Sequence, residues 1–346
     1  VDPLKLLQDY GSDGMRFGLL LQVTGAQDLK FDEQKLVSSR NFANKIRNAA
    51  RFVGMNLDGY VPGEPNPTTS ADKWIFTRLA QLVESIDAAF EEFEFGEITR
   101  QLYSFFWNEF CDWYIEFSKS RLSKDADPQD RLDCQRNLVF VLDQAIRLLH
   151  PIMPFVTEEI YQELPGEKQA KHLIVASWPQ AAALKQYCDE DAAAAIGMVC
   201  DAVSAIRSTR ARYGISPKSA LDVVIKAKES ADLLEQQSSL ISSLANVSSL
   251  TISADAEKPA GSSVSLAGSL EVYVALSGLV DFDAERARLQ SERDKVSKDA
   301  AKLEKKLSNQ GFLAKAAPEI IEKDRAHFAE LTDKLARIDE QLAALA

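Results

Sequence analysis

The sequence lacks the motifs by which many enzymes are identified from their residues alone. It has no glycine-rich phosphate-binding loop, no dinucleotide-binding fingerprint, no HExxH zinc motif and no nucleophile elbow. Its three histidines, His150, His172 and His327, lie far apart in the sequence, which argues against a metal site built from them. Taken alone, the 346 residues do not indicate a catalytic site.

Long apolar runs, a secretory leader and paired cysteines are also absent. No stretch approaches the roughly 18 apolar residues that a membrane span requires. The first residues have neither the basic nor the apolar region of a signal peptide, and the chain begins without an initiator methionine, as a piece of a longer protein would. The four cysteines show no CxxC spacing, which predicts reduced thiols rather than disulfides or zinc ligands. We therefore expect a cytoplasmic protein without membrane contacts.

The stretch from Lys35 to Leu57 has no acidic residue, although the formal net charge of the chain is −12. It holds five cations and the segment RNFANKIRNAARF, which is rich in Asn and carries two aromatic residues. Such side chains can neutralise phosphates, stack on unpaired bases and hydrogen-bond to base edges. A local reversal of charge on an acidic background points to nucleic acid as the partner. Charge and composition alone would fit a solvated helix face equally well.

Amphipathic patterns predict a mainly helical fold in which long helices joined by short links form an antiparallel bundle. The segment DGYVPGEPNPTTSAD must be a loop because it holds three prolines and two glycines. Asp13 is expected to cap the helix that follows it, and Ser70 or Asp72 to cap the helix after the loop. The predicted helices are Pro3–Tyr10, one from Asp13, Asp32–Met55, one from Ser70 or Asp72, Glu97–Arg121, Asp130–Leu149, Pro154–Leu164 and Asp191–Arg212.

The pattern changes to alternation after the bundle, which predicts a small α/β unit. Three segments alternate like strands, and one helix is expected between the first two of them. The predicted strands are Leu221–Ala227, Ser248–Ser253 and Ser269–Leu276, and the helix lies near Asp232–Leu244.

Heptad repeats in the last 66 residues predict an antiparallel coiled-coil hairpin. Leu289, Val296 and Leu303 recur every seven residues before a turn that contains Gly311, and a second heptad helix follows Pro318. Ala300 and Leu307 belong to the seam of the first helix. In the second helix the residues that recur every seven positions are Ile321, Phe328, Leu335 and Leu342, and those between them are Leu331, Ile338 and Leu345.

The two arms of this hairpin carry opposite charge. Arg286–Lys315 holds nine Lys and Arg against four acids, and Pro318–Ala346 holds four against seven. The arms can therefore attract each other, and the excess of positive charge on the first arm can also lie along a phosphate backbone. These two interpretations are compatible.

Several segments together resemble the carboxy-terminal half of the valyl-tRNA synthetases. VDPLKLLQDYGSDGMRFGLL, GAQDLKF, RNFANKIRNAARFV, FFWNEFCDWYIEFSK and LLHPIMPFVTEEIYQEL occur in the family's order across about residues 1–215, and the rest of the chain continues the match more loosely. HPIMPFVTEEIY is shared among the synthetases for large aliphatic amino acids. RNFANK, NAARF and FCDWYIE are more typical of the valine enzymes.

The resemblance implies a fragment that starts just past the active site of a valine–tRNA ligase. The KMSKS-type loop, the HIGH-type signature and the editing domain would lie upstream, so the chain would have no catalytic residue and be inactive by itself. The parent enzyme would use ATP and Mg, whereas this part would bind no cofactor and no metal. Its partners would be tRNA(Val) and the missing amino-terminal domains, and it would be a monomer.

The same resemblance implies four segments. Residues 1–33 would be a connector after the catalytic domain, and residues 34–213 the anticodon-binding helical bundle. Residues 214–280 would be the small α/β subdomain, and residues 281–346 a coiled-coil arm that binds tRNA. The expected fold class is therefore mainly α, with a helical bundle of the class Ia synthetase type, a small α/β linker and a carboxy-terminal hairpin.

The candidate anticodon surface lies on the helix around Arg40–Phe52 and on the CDWYIE helix. Phe52 is the first candidate for base stacking, Lys45, Arg47 and Arg51 can hold phosphates or donate to base edges, and Ile115 and Glu116 match family positions near the anticodon. Asn41, Asn44 and Asn48 share one helix face and suit an adenine edge, while Glu116 can accept from a cytosine amine. Phe52 could instead cover the end of the first helix. Five aromatic residues fit the bundle core better: Phe42, Trp107, Phe110, Trp113 and Tyr114.

The basic arm of the hairpin is expected to add contacts to the tRNA backbone that carry no sequence information. The candidate residues are Lys295, Lys298, Lys302, Lys305 and Lys306. Two other functions stay open at this point. One is a helical coiled-coil adaptor that binds no RNA, which the acid-free stretch disfavours. The other is the equivalent region of an isoleucyl- or leucyl-tRNA synthetase, which the CDWYIE and NAARF segments disfavour.

Overall fold

The computed structural model describes residues 2–23, 31–166, 168–280, 282–309 and 318–344. Most of the GAQDLKF segment, the turn residues Gln310 and Gly311 and the seam residue Leu345 lie outside these ranges. The described residues are mainly helical with one small mixed sheet, which confirms the predicted fold class. The chain divides into two compact units, Val1–Cys200 and Asp201–Ala346. The finer division into four segments stays a prediction.

The first unit is built from long helices around an apolar core. A ten-residue π-helical segment, Phe105–Tyr114, continues α4 into α5, and short 3₁₀ turns lie at Leu173–Val175 and Lys185–Tyr187. The last helix, α9, begins in this unit and ends in the second. The helices are α1 Pro3–Leu21, α2 Glu33–Met55, α3 Ser70–Glu91, α4 Phe95–Ser104, α5 Ile115–Ser118, α6 Pro128–Leu149, α7 Pro154–Glu163, α8 Ala181–Leu184 and α9 Glu190–Arg212.

Helix α1 contains the break that the sequence predicts between its two halves. Gly11 has φ 73° and ψ 162°, a backbone conformation that glycine tolerates and that interrupts the helix. Asp13, however, does not act as the expected cap of its own helix. Its carboxylate accepts hydrogen bonds from the backbone N–H groups of Phe155 and Val156, at 3.2 and 2.7 Å, in the first turn of α7.

Helix α3 begins with a reciprocal cap that differs from the prediction by one residue. Thr69 is the N-cap, rather than Ser70 or Asp72, and its hydroxyl accepts from the Asp72 N–H at 3.1 Å. The Asp72 carboxylate in turn accepts from the Thr69 N–H at 3.1 Å. Two orphan N–H groups of the helix start are thereby satisfied.

The Asp72 carboxylate also anchors a buried polar network. Asp72 is fully buried, and Arg121 donates to both of its oxygens at 2.9 and 2.8 Å. The Tyr114 hydroxyl donates to Asp72 at 2.7 Å, and Arg121 reaches on to Asp130 near the start of α6. A buried carboxylate is tolerated only with such partners. The network therefore holds the start of α3, the end of the π-helical segment and the start of α6 together.

The second unit contains a four-stranded sheet in the order β2-β1-β4-β3. β1 is parallel to β2 and antiparallel to β4, and helices α10 Ala231–Glu235 and α11 Ser238–Ala245 connect β1 to β2. Strand β3 was not predicted, because its serine-rich segment SSVSLA has little of the apolar alternation that marks a strand. The strands are β1 Leu221–Lys226, β2 Val247–Ser253, β3 Ser262–Ala267 and β4 Leu270–Ala275.

The hairpin consists of α12, Phe282–Leu307, and α13, Pro318–Ala344. Its seam buries the predicted positions Leu289, Val296 and Ile338, with Leu331, Leu335 and Leu342 packed against them. Ion pairs cross between the helices at Arg293–Asp339, Lys334–Glu292 and Lys306–Asp324. The predicted attraction between the arms is therefore realised in their contacts.

One helix in the described part of the chain, α9, is long and apolar enough to cross a membrane by length and composition alone. Buried core helices pass the same test, and Ile196, Val199 and Val203 of α9 are fully buried. This property is therefore weak evidence for a membrane span.

Candidate nucleic-acid interface

The side of helix α2 that faces away from the core carries neutral polar residues and cations. Phe42, Ile46 and Val53 are fully buried on the inner face. The outer side carries the exposed residues that the sequence singled out, at spacings of three and four: Asn41, Asn44, Asn48 and Arg51. This arrangement follows from the helical period, and it aligns three amides and a guanidinium in a row open to a ligand.

Phe52 lies next to this row and is half-buried. Its backbone carbonyl accepts from the Asn56 side chain at 2.8 Å, which closes the end of the helix. Asn48 accepts from Arg51 at 3.4 Å, so two of the predicted contact residues already touch each other. A partly exposed ring beside amides and a guanidinium has the composition of a base-stacking site.

Lys45, seven residues before Phe52 on the same helix, is held by an acid and by a pair of aromatic residues. Its ammonium lies 2.6 Å from the Asp112 carboxylate and 4.8 Å from the ring centroid of Trp107. Trp107 stacks on Tyr103 with ring centroids 5.3 Å apart. The core interpretation of the aromatic residues is confirmed for Phe42, Phe110 and Tyr114. It is only partly right for Trp107 and Trp113, which are half-buried.

Asp112 belongs to the π-helical segment, and so do most of the aromatic residues around it. The wider helical turn is rare and frequently marks functional sites. Burial raises the pKa of the Cys111 thiol next to Asp112 to about 12, so this sulfur stays protonated and unreactive at neutral pH. Ile115 is only 7% exposed and offers little surface to a base, whereas Glu116 is half-buried and pairs with Lys119.

A groove of about 740 Å³ separates α2 from α7. Arg47, Asn48 and Arg51 line its α2 side, and Glu159 and Glu163 line its α7 side. Arg47 and Glu159 form an ion pair across it at 3.1 Å, with about half of each side chain exposed. The remaining lining is apolar: Ala50, Gly54, Met55, Leu57, Ile160, Leu164 and Pro165. Apolar walls with a few polar groups suit the face and the edge of a planar base.

The structure brings most of the predicted α2 residues to one continuous surface, but it also reveals partners that the sequence did not indicate. Asp112 and Glu159 neutralise Lys45 and Arg47, two of the five cations in the acid-free stretch. Arg40 is engaged as well, by the Asp9 carbonyl at 3.2 Å. The acids were visible in FCDWYIE and TEEIYQEL, but only the tertiary packing shows which cations they face. Arg51 and the three asparagines are exposed and pair with no carboxylate among the described residues.

In the hairpin, four of the five candidate lysines, at positions 295, 298, 302 and 305, follow one side of α12. Lys295, Lys298 and Lys305 are exposed and form no ion pair within the described residues. Lys302 pairs with Asp299 of its own helix at 2.9 Å, and Lys306 pairs with Asp324 of α13 at 2.7 Å. The row is thus cationic but contains no aromatic residue or amide among its members.

Comparison with known proteins gives two family matches. Residues 72–225 match the anticodon-binding domain of tRNA ligases, and residues 281–346 match the tRNA-binding arm of valyl-tRNA synthetases. The first match includes Ile115 and Glu116 but begins after α2, which carries the other predicted contacts.

Curated relatives match the whole chain. The valine–tRNA ligase of Syntrophotalea carbinolica is 38% identical over 352 residues, and that of Bacillus cereus is 40% identical over 350 residues. Both alignments cover 100% of this chain and 39% of the relative, so the chain spans well under half the length of these enzymes. Among solved structures, the methionyl-tRNA synthetase of Mycobacterium tuberculosis matches 46% of this chain and 34% of its own, with 25% identity and a TM-score of 0.40.

The two matched segments run from α3 into β1 and over the hairpin, and the relatives extend the match to α1, α2 and the rest of the sheet. The resemblance that the sequence indicated is therefore confirmed: the chain belongs to the family of the valine–tRNA ligases and matches their carboxy-terminal part.

Proposed function

We propose that this chain binds tRNA(Val), with the outer face of α2 reading the anticodon loop. The observation that carries the proposal is the row of Asn41, Asn44, Asn48 and Arg51 beside the half-buried ring of Phe52. Amides can donate and accept at once, and a guanidinium can hold a phosphate or a base edge. The anticodon-binding family match and the valine–tRNA ligase relatives support this assignment.

In this proposal each predicted group has a physical task. Phe52 stacks on a loop base, Asn48 and its neighbours bond to base edges, and Arg51 neutralises a phosphate. Lys45 and Arg47 exchange their present carboxylate partners for RNA phosphates when the loop binds. Glu116 offers an acceptor for an exocyclic amine, and Ile115 supports that position from within the bundle. The valine anticodon would be read mainly through its last two bases, A and C.

The hairpin would supply the second, non-specific part of tRNA binding. Lys295, Lys298, Lys302, Lys305 and Lys306 would lie along the backbone and slow dissociation without reading sequence. The family match to a tRNA-binding arm supports this role.

The wider reaction is proposed for the parent protein. A longer chain with catalytic and editing domains would attach valine to tRNA(Val) with ATP and Mg. The present part would serve that reaction by holding the anticodon and would bind no cofactor or metal itself. We further propose that it is monomeric, cytoplasmic and without membrane contacts, and that its four segments are 1–33, 34–213, 214–280 and 281–346.

Binding to tRNA transcripts tests this function. The chain is titrated at low salt with a transcript that bears a valine anticodon and with one changed only at the middle anticodon base. Tighter binding of the valine transcript, lost in Arg51→Ala, is the expected result. Equal and purely salt-dependent binding of both transcripts would contradict anticodon reading, and no binding at all would favour the adaptor function.

A further inference from the structure

Helix α1 contacts both helices that form the walls of the groove, and it uses groups that have no part in the proposed RNA contacts. It meets α2 through Gly14 and Gly18, and it meets the turn before α7 and the first turn of α7 through Arg16 and Asp13. The two contacts have different chemistry, since the first is steric and the second is polar. Together they make α1 a common support for the two walls.

The contact with α2 is a close approach of two backbones. A Cβ atom on Gly18 would come within 2.6 Å of the Leu36 Cδ2 atom and 3.2 Å of the Leu36 Cα atom. A Cβ atom on Gly14 would lie 3.3 Å from the Cα and N atoms of Arg40. Such spacing leaves little freedom for the separation of α1 and α2. Between the two glycines, the buried ring of Phe17 packs on Phe42 with centroids 4.9 Å apart.

The contact with α7 supplies a helix cap from another part of the chain. The N-cap residue of α7 is Met153, whose side chain forms no capping hydrogen bond. The first N–H groups of any helix lack intrahelical partners. Asp13, which is only 7% exposed, accepts from two of them, on Phe155 and Val156. A carboxylate is also the favoured charge at the positive end of a helix.

Arg16 completes the support on the preceding turn. Its guanidinium donates to the backbone carbonyls of Pro151 and Ile152, at 2.8 Å each. The first turn of α7 and the turn before it are thus held by an anion and a cation about one helical turn apart on α1. By contrast, the direct pair across the groove, Arg47–Glu159, is exposed on both sides, and such surface pairs contribute little.

We propose that Asp13 is a positioning residue that sets the width of the α2–α7 groove through α1. This inference rests on the proposed function, because the groove matters for RNA only if α2 reads the loop. Without the Asp13 carboxylate, α7 loses its cap and its two hydrogen bonds to α1, which leaves only Arg16 on the preceding turn, and the groove samples wider arrangements. RNA then binds to only a fraction of the molecules, which weakens the apparent affinity by that fraction.

The variant Asp13→Ala tests this role against a matched control, Asp127→Ala. Asp127 caps α6 with the same chemistry, accepting from the Gln129 and Asp130 N–H groups at 3.0 and 2.9 Å, but it lies next to α6 in sequence, and within the described ranges its carboxylate has no hydrogen bond to α1. Both variants lose a carboxylate cap and the stability that goes with it. Only the first loses the support of the groove.

Two readouts are measured on each folded variant. The groove width is followed as the distance distribution between nitroxides on a genetically encoded keto amino acid at positions 55 and 163. Affinity for the valine-anticodon transcript is measured in parallel on unlabelled protein. We expect Asp13→Ala to broaden the distance distribution and to weaken tRNA binding about fivefold. A loss of this size corresponds to about one fifth of the molecules having a groove that can bind RNA. Asp127→Ala should change neither, and Asp13→Asn, which keeps one acceptor oxygen, should restore part of both.

An unchanged distance distribution in Asp13→Ala and Asp13→Asn would overturn the positioning role, whatever the tRNA does. A broadened distribution with unchanged tRNA affinity would overturn the link between the groove and binding. Failure of the unaltered chain to prefer the valine transcript would instead count against the proposed anticodon reading, and the distance measurement would still decide whether Asp13 sets the groove. Asp13→Asn keeps the test decisive if the alanine variant does not fold.

Discussion

The outer face of α2 and the lysine row of α12 are both cationic, but they differ in what surrounds the charges. On α2, the cations stand among three asparagines and a half-buried phenylalanine, and two of them are paired with acids from other helices. On α12, Lys295, Lys298 and Lys305 stand alone on an exposed side, with ion pairs confined to their neighbours among the described residues.

This difference suggests two tasks: the α2 surface recognises bases, and the α12 row attracts phosphates. Acids next to Lys45 and Arg47 compete with phosphates and so penalise any RNA that offers only charge. A ligand must then add stacking and edge contacts to bind well, which is how base contacts specify while phosphate contacts position. On α12, Lys295, Lys298 and Lys305 form no ion pair among the described residues, so phosphates meet no competing acid there. We therefore expect α2 to govern anticodon preference and α12 to govern salt dependence.

The largest effect should come from breaking the buried network that joins α3, the π-helical segment and α6 in the unit that carries α2. Arg121→Met leaves the fully buried Asp72 without its cationic partner, and loss of one member of a buried pair costs about 3–5 kcal/mol. Urea unfolding followed by circular dichroism measures this loss. The matched control, Arg100→Met, breaks the exposed pair with Glu97 and should change stability by less than about 1 kcal/mol. Equal effects of the two variants would contradict the structural role of the network.

Next in size, Phe52→Ala should remove a stacking interaction from the reading surface. Base stacking on an aromatic side chain is worth about 1–3 kcal/mol, so the valine transcript should bind roughly 5 to 150 times more weakly. The transcript changed at the middle base should lose less, because it forms fewer of the matched contacts. Phe93→Ala removes a phenylalanine of the same unit that is 75% exposed and packs on Phe95 of α4, and it should leave both affinities unchanged. A similar loss in both variants would remove Phe52 from the interface.

The lysine row should give a smaller effect that is the same for every RNA. Substituting Lys295, Lys298 and Lys305 by alanine should lower the slope of log affinity against log salt by about one for each phosphate that is no longer neutralised. The ratio of affinities for the two transcripts should stay constant. Lys323→Ala on α13, also exposed, serves as the control outside the row. A changed ratio would show that the arm contributes to anticodon reading, which would break the distinction drawn between the two surfaces.

The smallest change should be an increase in affinity for RNA. Glu159→Gln removes the partner of Arg47 and frees the guanidinium for RNA, and because exposed pairs are weak we expect affinity to rise only about twofold to threefold. Glu84→Gln breaks an exposed pair with Lys185 in the same unit and should leave affinity unaltered. Weaker binding in Glu159→Gln would mean that this carboxylate touches the RNA itself.

Much of the fold follows from sequence periodicity. The long amphipathic helices and the heptad hairpin were predicted close to their observed bounds, because apolar spacing fixes which face is buried. The exceptions are short segments in which the sequence pattern is ambiguous or weak. Thr69 rather than Ser70 caps α3, because only Thr69 has a capping partner, Asp72, three residues later. Serine-rich β3 has no strong pattern to reveal it.

The candidate site was predictable only in part. Its cations, amides and Phe52 stand close together in the sequence, so one helix suffices to align them. The partners Asp112 and Glu159 come from segments 67 and 112 residues away, and pairing at such distances depends on how the helices pack. The role of Asp13 was missed for the same reason: it caps α7 through Phe155 and Val156, which lie 142 and 143 positions later in the sequence. The π-helical turn that carries Asp112 has no comparable signal in the sequence.

The central claim, that α2 contacts the anticodon loop while α12 contacts only backbone, is tested most directly by site-specific photocrosslinking. A photoreactive phenylalanine analogue is placed at Asn48 or at Lys298 of the full chain, which is then irradiated with the valine transcript, and the crosslinked nucleotides are mapped. We predict crosslinks within the anticodon loop from position 48, abolished when the middle base is changed. From position 298 we predict crosslinks outside that loop, insensitive to the anticodon. Crosslinks from position 48 that avoid the anticodon loop would contradict the claim.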